Sequence, residues 1–222
     1  MEEVLLDRTT VHLLPVIRGL PSETAIVHQA ITSTRPDVIG LSIGPEELRT
    51  LRSYRGDPLG ADNFEEEVYV AGLSAWEPPI KPPPCFSDAV RLADERHLPV
   101  EAIDMDEVTY TESYVDCVSA LEVVFQGRLE KRLSKKQFRA KTPRDFVLEW
   151  DAEVNGSPGF QRLQARREAF MAGRLKEIAA ASRQSVLAII EVERTQGVRK
   201  ALLDARPEGR PNTRGESGRH RP

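Results

Sequence analysis

Apolar residues recur along the chain with two periods. Residues 9–17, TTVHLLPVI, are β-branched and apolar and predict a first strand. Gly19, Pro21 and Ser22 supply a turn and a helix start with Ser22 as the N-cap, and Ile26, Val27, Ala30 and Ile31 follow at helical spacing. Asp37 opens VIGLSI, a near-continuous apolar run of the kind that a parallel strand buried on both faces requires. Gly44 and Pro45 end that run, and Pro45 suits the first position of the helix EELRTLRSY.

Residues 55–84 interrupt the pattern. RGDPLGADN is punctuated by Gly, Pro and Asp, EEE follows, and WEPPIKPPP closes the segment in a stiff, extended form. VYVAGLS, between them, reads as a short strand or as a helical turn under a loop. So long an irregular connection is unusual in a compact domain and is often functional or mobile, which leaves open whether it forms a lid. Regular structure resumes at Phe86, with Phe86, Ala89, Val90, Ala93 and His97 on one helical face, and LPVEAID follows as a strand. Tyr110, Tyr114, Cys117, Val118, Leu121, Val124, Phe125 and Leu129 form a stripe that predicts one long helix over about 109–136. PRDFVLEWD predicts a short helix and residues 155–159 a turn. A further helix carries Phe160, Leu163, Phe170, Met171, Leu175 and Ile178. SVLAIIEV is a last buried strand and QGVRKALLDA a closing helix.

Strands separated by helices predict an α/β fold. The expected sheet is mainly parallel, built from residues 9–17, 37–43, 99–104 and 185–192 and flanked by helices. A helical insertion, about 109–181, precedes the last strand. Residues 1–204 form a single domain on this reading. Residues 205–222 contain no large apolar side chain and carry five arginines against two glutamates, which predicts a disordered basic tail.

Composition adds exclusions. The 222 residues are 40% hydrophobic and 30% charged with a formal net charge of −4, ordinary values for a globular chain of this length. That charge excludes a strongly basic nucleic-acid binder and leaves only weak contact through the tail. No apolar run approaches the ~20 residues that cross a bilayer, and the acidic N-terminus is no secretory signal. Cys85 and Cys117, the two cysteines, have no framework spacing and read as small buried residues of a cytoplasmic protein with reduced thiols. His12, His28, His97 and His220 are scattered, and no phosphate-binding glycine loop or nucleophile elbow is present. LEVVFQG (121–127) resembles a viral protease recognition sequence, a coincidence within a helical stripe. Two acidic clusters follow predicted strands, where α/β sheets place their sites: Asp104, Asp106 and Glu107, then Glu191 and Glu193.

The ordered set of motifs over residues 9–203 resembles the TraB-like pheromone-shutdown proteins. These are related to the Tiki metalloproteases and, more distantly, to the erythromycin-esterase and ChaN-like proteins. TVHLLPVIRGLPSE stands where that family has a strand ending in GxxH and a Ser-led helix, and RPDVIGLSIGPEEL where it has PDVVAVEL. KPPPCFSDAVRLADERHLPVEAIDMD is similar to its helix and strand ending in an aspartate-rich turn. RREAFMAGRL is similar to its ERDxxMAxxL helix and keeps Arg167, Glu168, Met171, Ala172 and Leu175. SVLAIIEVERTQGVRKALL stands where the family has its last strand, a second GxxH and a closing helix.

The resemblance implies a metal-dependent hydrolase or protease that uses both GxxH histidines and a glutamate after the second strand. Here Arg18 and Arg194 take the histidine positions and Ser42 that of the glutamate. Arginine has a fixed charge and no lone pair for a metal. At ~4 Å and an effective dielectric near 20, one guanidinium opposes a divalent cation by about 8 kcal/mol. The expectation is therefore a non-catalytic binding or regulatory module without a metal or cofactor. If the family fold holds, Arg18, Ser42 and Arg194 converge as an anion pocket, free or closed by internal carboxylates. Two alternatives remain: an enzyme whose acidic site is rebuilt from Asp104, Asp106, Glu191 and Glu193, and an assembly protein that uses the 109–136 helix as a surface. Small anionic ligands, a protein partner and homo-oligomers stay open as partners; membranes do not.

Overall fold

A computed structural model describes residues 1–56, 60, 61, 63–133, 135–181 and 184–204. In chain order the elements are β1 (Glu2–Leu6), β2 (Thr9–Val16), α1 (Glu23–Thr34), β3 (Val38–Leu41), α2 (Pro45–Ser53), α3 (Phe64–Leu73), α4 (Pro84–Glu95) and β4 (Val100–Ala102). Then follow α5 (Glu107–Cys117), α6 (Ala120–Gln126), α7 (Leu129–Leu133), α8 (Pro143–Val154), α9 (Pro158–Ala180), β5 (Ser185–Glu191) and α10 (Val192–Leu203).

The fold is α/β, with one sheet in the order β1-β2-β5-β3-β4. β5 pairs in parallel with both β2 and β3, and β3 pairs in parallel with β4. Because β5 is central, its side chains are buried on both faces, as its unbroken apolar run requires. Leu187 and Ile189 pack with α1, α2 and α4 on one face. Val186, Ala188 and Ile190 pack with α9 and α10 on the other. A third cluster, joining Ile17, Leu20, Tyr69, Leu73, Phe146, Val147 and Val192, lies past the ends of β2 and β5 and brings in α3 and α8.

Several expectations need correction. Residues 2–6 form an edge strand, antiparallel to β2, in which Val4 is buried in the second face's core. Its neighbours Glu2 and Glu3 hid the strand pattern. VYVAGLS is helical, inside α3, because Asn63 caps the helix by accepting a hydrogen bond from the Glu66 amide, and three glutamates favour its first turn. The helix expected over 109–136 is broken at Val118, whose backbone is extended. Ser119 restarts the chain as α6 through a capping box with Glu122, a signature that the continuous apolar stripe masked. Leu121, Val124 and Phe125 of that stripe are 70%, 67% and 54% exposed, so much of it is surface. His97 lies beyond the end of α4, exposed and with a positive φ of 56°. Cys85 is fully buried, which pushes its thiol up to about 12, whereas Cys117 is half-buried. The basic tail lies outside the described residues. No helix among the described residues is long and apolar enough to cross a membrane.

The third cluster couples the segment after β2 to α3 and α8, and Phe146 is its largest fully buried side chain. Phe146→Ala is expected to cost about 3–5 kcal/mol in urea unfolding, as truncation of a core aromatic does. Leu121→Ala, on the exposed stripe, is expected to stay within about 0.5 kcal/mol of wild type. Equal losses at the two positions would contradict this division between core and surface.

Candidate functional site

The carboxyl ends of β2, β3, β4 and β5 share one edge of the sheet, since these strands are parallel. Arg18 leaves β2 on a tightly held backbone. Its carbonyl accepts a hydrogen bond from the Tyr69 hydroxyl at 2.9 Å, and the carbonyl of Gly19 accepts one from the Ile80 amide at 2.8 Å. Gly19 has a φ of +97°, and a Cβ there would sit 3.0 Å from that of Pro79, so only glycine suits the turn. The backbone is fixed, but the guanidinium is not enclosed. The side chain is 39% exposed, and its one ion pair with a described residue is to Glu191 at 3.7 Å, beyond hydrogen-bond reach. Burial works against the charged form, yet Glu191, Tyr69, Glu193 and Glu47 outweigh it and raise the Arg18 pKa.

The other strand ends are more fully engaged. Ser42 is buried, and its hydroxyl accepts from the Glu191 amide at 3.2 Å, tying β3 to β5. Asp104 is buried, accepts from the Met105 amide at 2.8 Å and pairs with Arg167 of α9. Asp106 caps α5 by accepting from the Thr109 amide at 2.7 Å, and this bond holds its carboxyl below the usual range. Glu191 is buried where β5 passes into α10.

Arg194 takes a different course. It is 5% exposed and pairs with Asp151 of α8 and, at 3.2 Å, with Glu168 of α9. Gly197 permits this approach, since a Cβ at that position would lie 1.9 Å from a Glu168 carboxylate oxygen. The guanidinium therefore clamps α10 to two neighbouring helices, and Arg194 does not line the cleft that holds Arg18 and Ser42.

Among the described residues, clefts of two sizes are lined by residues of this edge. The smaller, of 380 Å³, is lined by Arg18, Ser42, Asp104, Asp106 and Glu191 together with Glu46, Glu47, Glu107, Tyr110 and Arg167. Its six carboxyl side chains face two guanidiniums, so the expected anion pocket has an acidic surround. The larger, of 540 Å³, lies between the turn at Gly19, α3 and the proline-rich segment, with Tyr69, Val70, Pro79, Ile80, Lys81 and Trp150 in its wall. Arg18 and Glu47 line both clefts. Arg18, Ser42, Asp104, Asp106 and Glu191 are thus brought together, while Arg194 and Glu193 lie outside both linings.

The residues at the metal positions of the resembled family do not suit a metal. Arg18 and Arg194 have no lone pair to give, and the Ser42 hydroxyl is engaged with the Glu191 amide. Among the described residues no three His, Cys, Asp or Glu side chains are grouped so as to hold a metal ion. His28 instead meets Asp88 at 3.0 Å on the flank of the sheet, and His220 lies outside the described residues. Sequence reasoning overlooked Glu47, Tyr69, Asp151 and Trp150 as parts of this region. The adjacent pair Arg167 and Glu168 was the one available signal for the helix that holds both Asp104 and Arg194.

No protein-family model matches the sequence, and no curated protein does. Among solved structures the chain is similar to the erythromycin esterase EreC, a mutant form in its open conformation. The TM-score is 0.36 with 10% identity, over 88% of this chain and 68% of that one. A likeness of this size carries no argument about chemistry.

Glu193 follows β5 in the first turn of α10, and burial and then the charge of Glu191 push its carboxyl up to about 8. The folded state thus holds a proton that the unfolded chain, titrating near 4.5, has released. Stability contributed by this group is complete below about pH 4.5 and is lost as pH rises through about 8. Glu193→Gln is expected to flatten the fall in Tm between pH 5 and 8 and to exceed wild type above pH 8. Parallel Tm profiles for the two proteins would refute the assignment.

Proposed function

We propose that the chain is a small-molecule binding module of TraB-like descent whose site is the carboxyl edge of the sheet. Arg18 anchors the anionic group of the ligand. One observation carries this reading: Arg18 lines both clefts, and its guanidinium makes no hydrogen bond with any described residue. A guanidinium presents five N–H donors in a fork that matches a carboxylate or phosphate, and a half-exposed one can bind without breaking an internal network. Arg194, engaged on both sides, has no such capacity. The reading as an enzyme with a rebuilt acidic site draws on the Glu193 carboxyl, poised near 8. That carboxyl lines neither cleft, and Asp104 and Asp106 are engaged in an ion pair and a helix cap. The binding reading therefore accounts for more of the geometry.

The test is thermal-shift titration with benzoate, 3-phenylpropionate and inorganic phosphate. At least one carboxylate should stabilise the wild type in a concentration-dependent way. Arg18→Gln should lose that stabilisation, and Arg194→Gln should retain a ligand-dependent shift on its lower baseline. Stabilisation that persists in Arg18→Gln, or none with any of the three, would defeat the proposal.

A further inference from the structure

The charged groups of the larger cleft differ in whether they are hydrogen-bonded within the protein. Lys81 is held by both carboxylate oxygens of Glu66 at 3.1 Å, and Glu65 accepts from Gln126 at 2.9 Å. Two groups remain. Arg18 makes no hydrogen bond with a described residue, and the Glu47 carboxylate, in the first turn of α2, makes neither a hydrogen bond nor an ion pair with one. They do not pair with each other; burial, helped by Glu191 and Asp104, pushes the Glu47 carboxyl up, and the Arg18 charge draws it back down. An open cation and an open anion therefore face the same space from its rim. An added anion would satisfy Arg18 but would meet repulsion from Glu47 and Glu191; an added cation would meet the converse.

Part of the same lining is apolar. The rings of Tyr69 and Trp150 stand edge to face, 4.9 Å between centroids, and Pro79 and Ile80 lie in the same lining. The polar tips of both rings are engaged elsewhere: the Tyr69 hydroxyl donates to the Arg18 carbonyl and the Trp150 indole N–H to the Glu65 carbonyl at 3.3 Å. Tyr69 is itself buried, so the carbon surface open to a ligand is that of Trp150, Pro79 and Ile80, with Tyr69 packed behind Trp150. The volume of 540 Å³ falls within the range of about 300–1,000 Å³ common to small-molecule sites.

We infer that this cleft takes a zwitterion with an aromatic body, namely a free aromatic α-amino acid, whose carboxylate meets Arg18 and whose ammonium meets Glu47. The inference rests on the anchoring role of Arg18 proposed above and adds the second charge. An α-amino acid presents opposite charges one carbon apart, with its ring projecting from the same carbon. It can therefore satisfy both groups while its ring lies against Trp150, Pro79 and Ile80. One ligand then supplies a counter-charge to both groups.

The experiment is calorimetric titration of the full chain with L-phenylalanine, 3-phenylpropionate, which lacks the ammonium, and 2-phenylethylamine, which lacks the carboxylate. L-Phenylalanine should bind wild type at least tenfold more tightly than either analogue. Glu47→Gln should remove its advantage over 3-phenylpropionate, and Arg18→Gln its advantage over 2-phenylethylamine. If 3-phenylpropionate binds wild type as tightly as L-phenylalanine, and Glu47→Gln changes neither, the zwitterion assignment fails while the Arg18 anchor stands. If none of the three binds, or Arg18→Gln alters none of them, both readings fail together.

Discussion

The burial of β5 on both faces organises the molecule. A strand without a solvent face must pair on both edges and be covered above and below. β5 meets β2 and β3 at its edges, α1 and α4 on one side and α9 and α10 on the other. Its register fixes where the apolar run stops. Val16 lies opposite Glu191, and Leu41 opposite Ile189, so the first polar residues beyond three parallel strands emerge at one level. Arg18, Ser42 and Glu191 meet there because the core ends there.

Charge then decides how much of that edge is closed. Arg194 lies in the first turn of α10, buried against α8 and α9, where a guanidinium without carboxylates would be costly. Asp151 and Glu168 meet it, and the three helices are joined by the same contact. Arg167, the neighbour of Glu168 on α9, points away by the angle between successive helical residues and secures Asp104 at the end of β4. Consecutive residues of one helix thus hold opposite charges from two other elements. Arg18 has no such enclosure, because the turn at Gly19 carries its side chain to the rim. The two arginines therefore have different fates, one enclosed by helices and one half-exposed.

Much of the architecture was legible in the pattern of side chains. The runs VIGLSI and SVLAIIEV, read as buried parallel strands, contain β3 and β5, and Pro45 and Pro143 mark helix starts that the fold retains. The edge strand was illegible because Val4 is its one buried residue and two glutamates precede it. The break at Val118 was illegible to periodicity, although Ser119 and Glu122 are spaced as a capping box. The positions of Arg18 and Ser42 at one edge followed from parallel pairing. The enclosure of Arg194 did not, because its partners lie 43 and 26 residues away on helices whose rotation the sequence does not reveal. Glu47 was hidden for a simpler reason: in an acidic first turn it looks like any residue that favours a helix N-terminus.

The central claim is that one arginine at this edge is closed inside the protein and the other is open to a ligand. Proton exchange at individual arginine guanidiniums, followed by NMR in the ligand-free protein, measures this directly. The account predicts that the Arg194 guanidinium protons exchange slowly, and that those of Arg18 exchange at nearly the rate of free arginine. Comparable protection at both, or rapid exchange at Arg194, would contradict it.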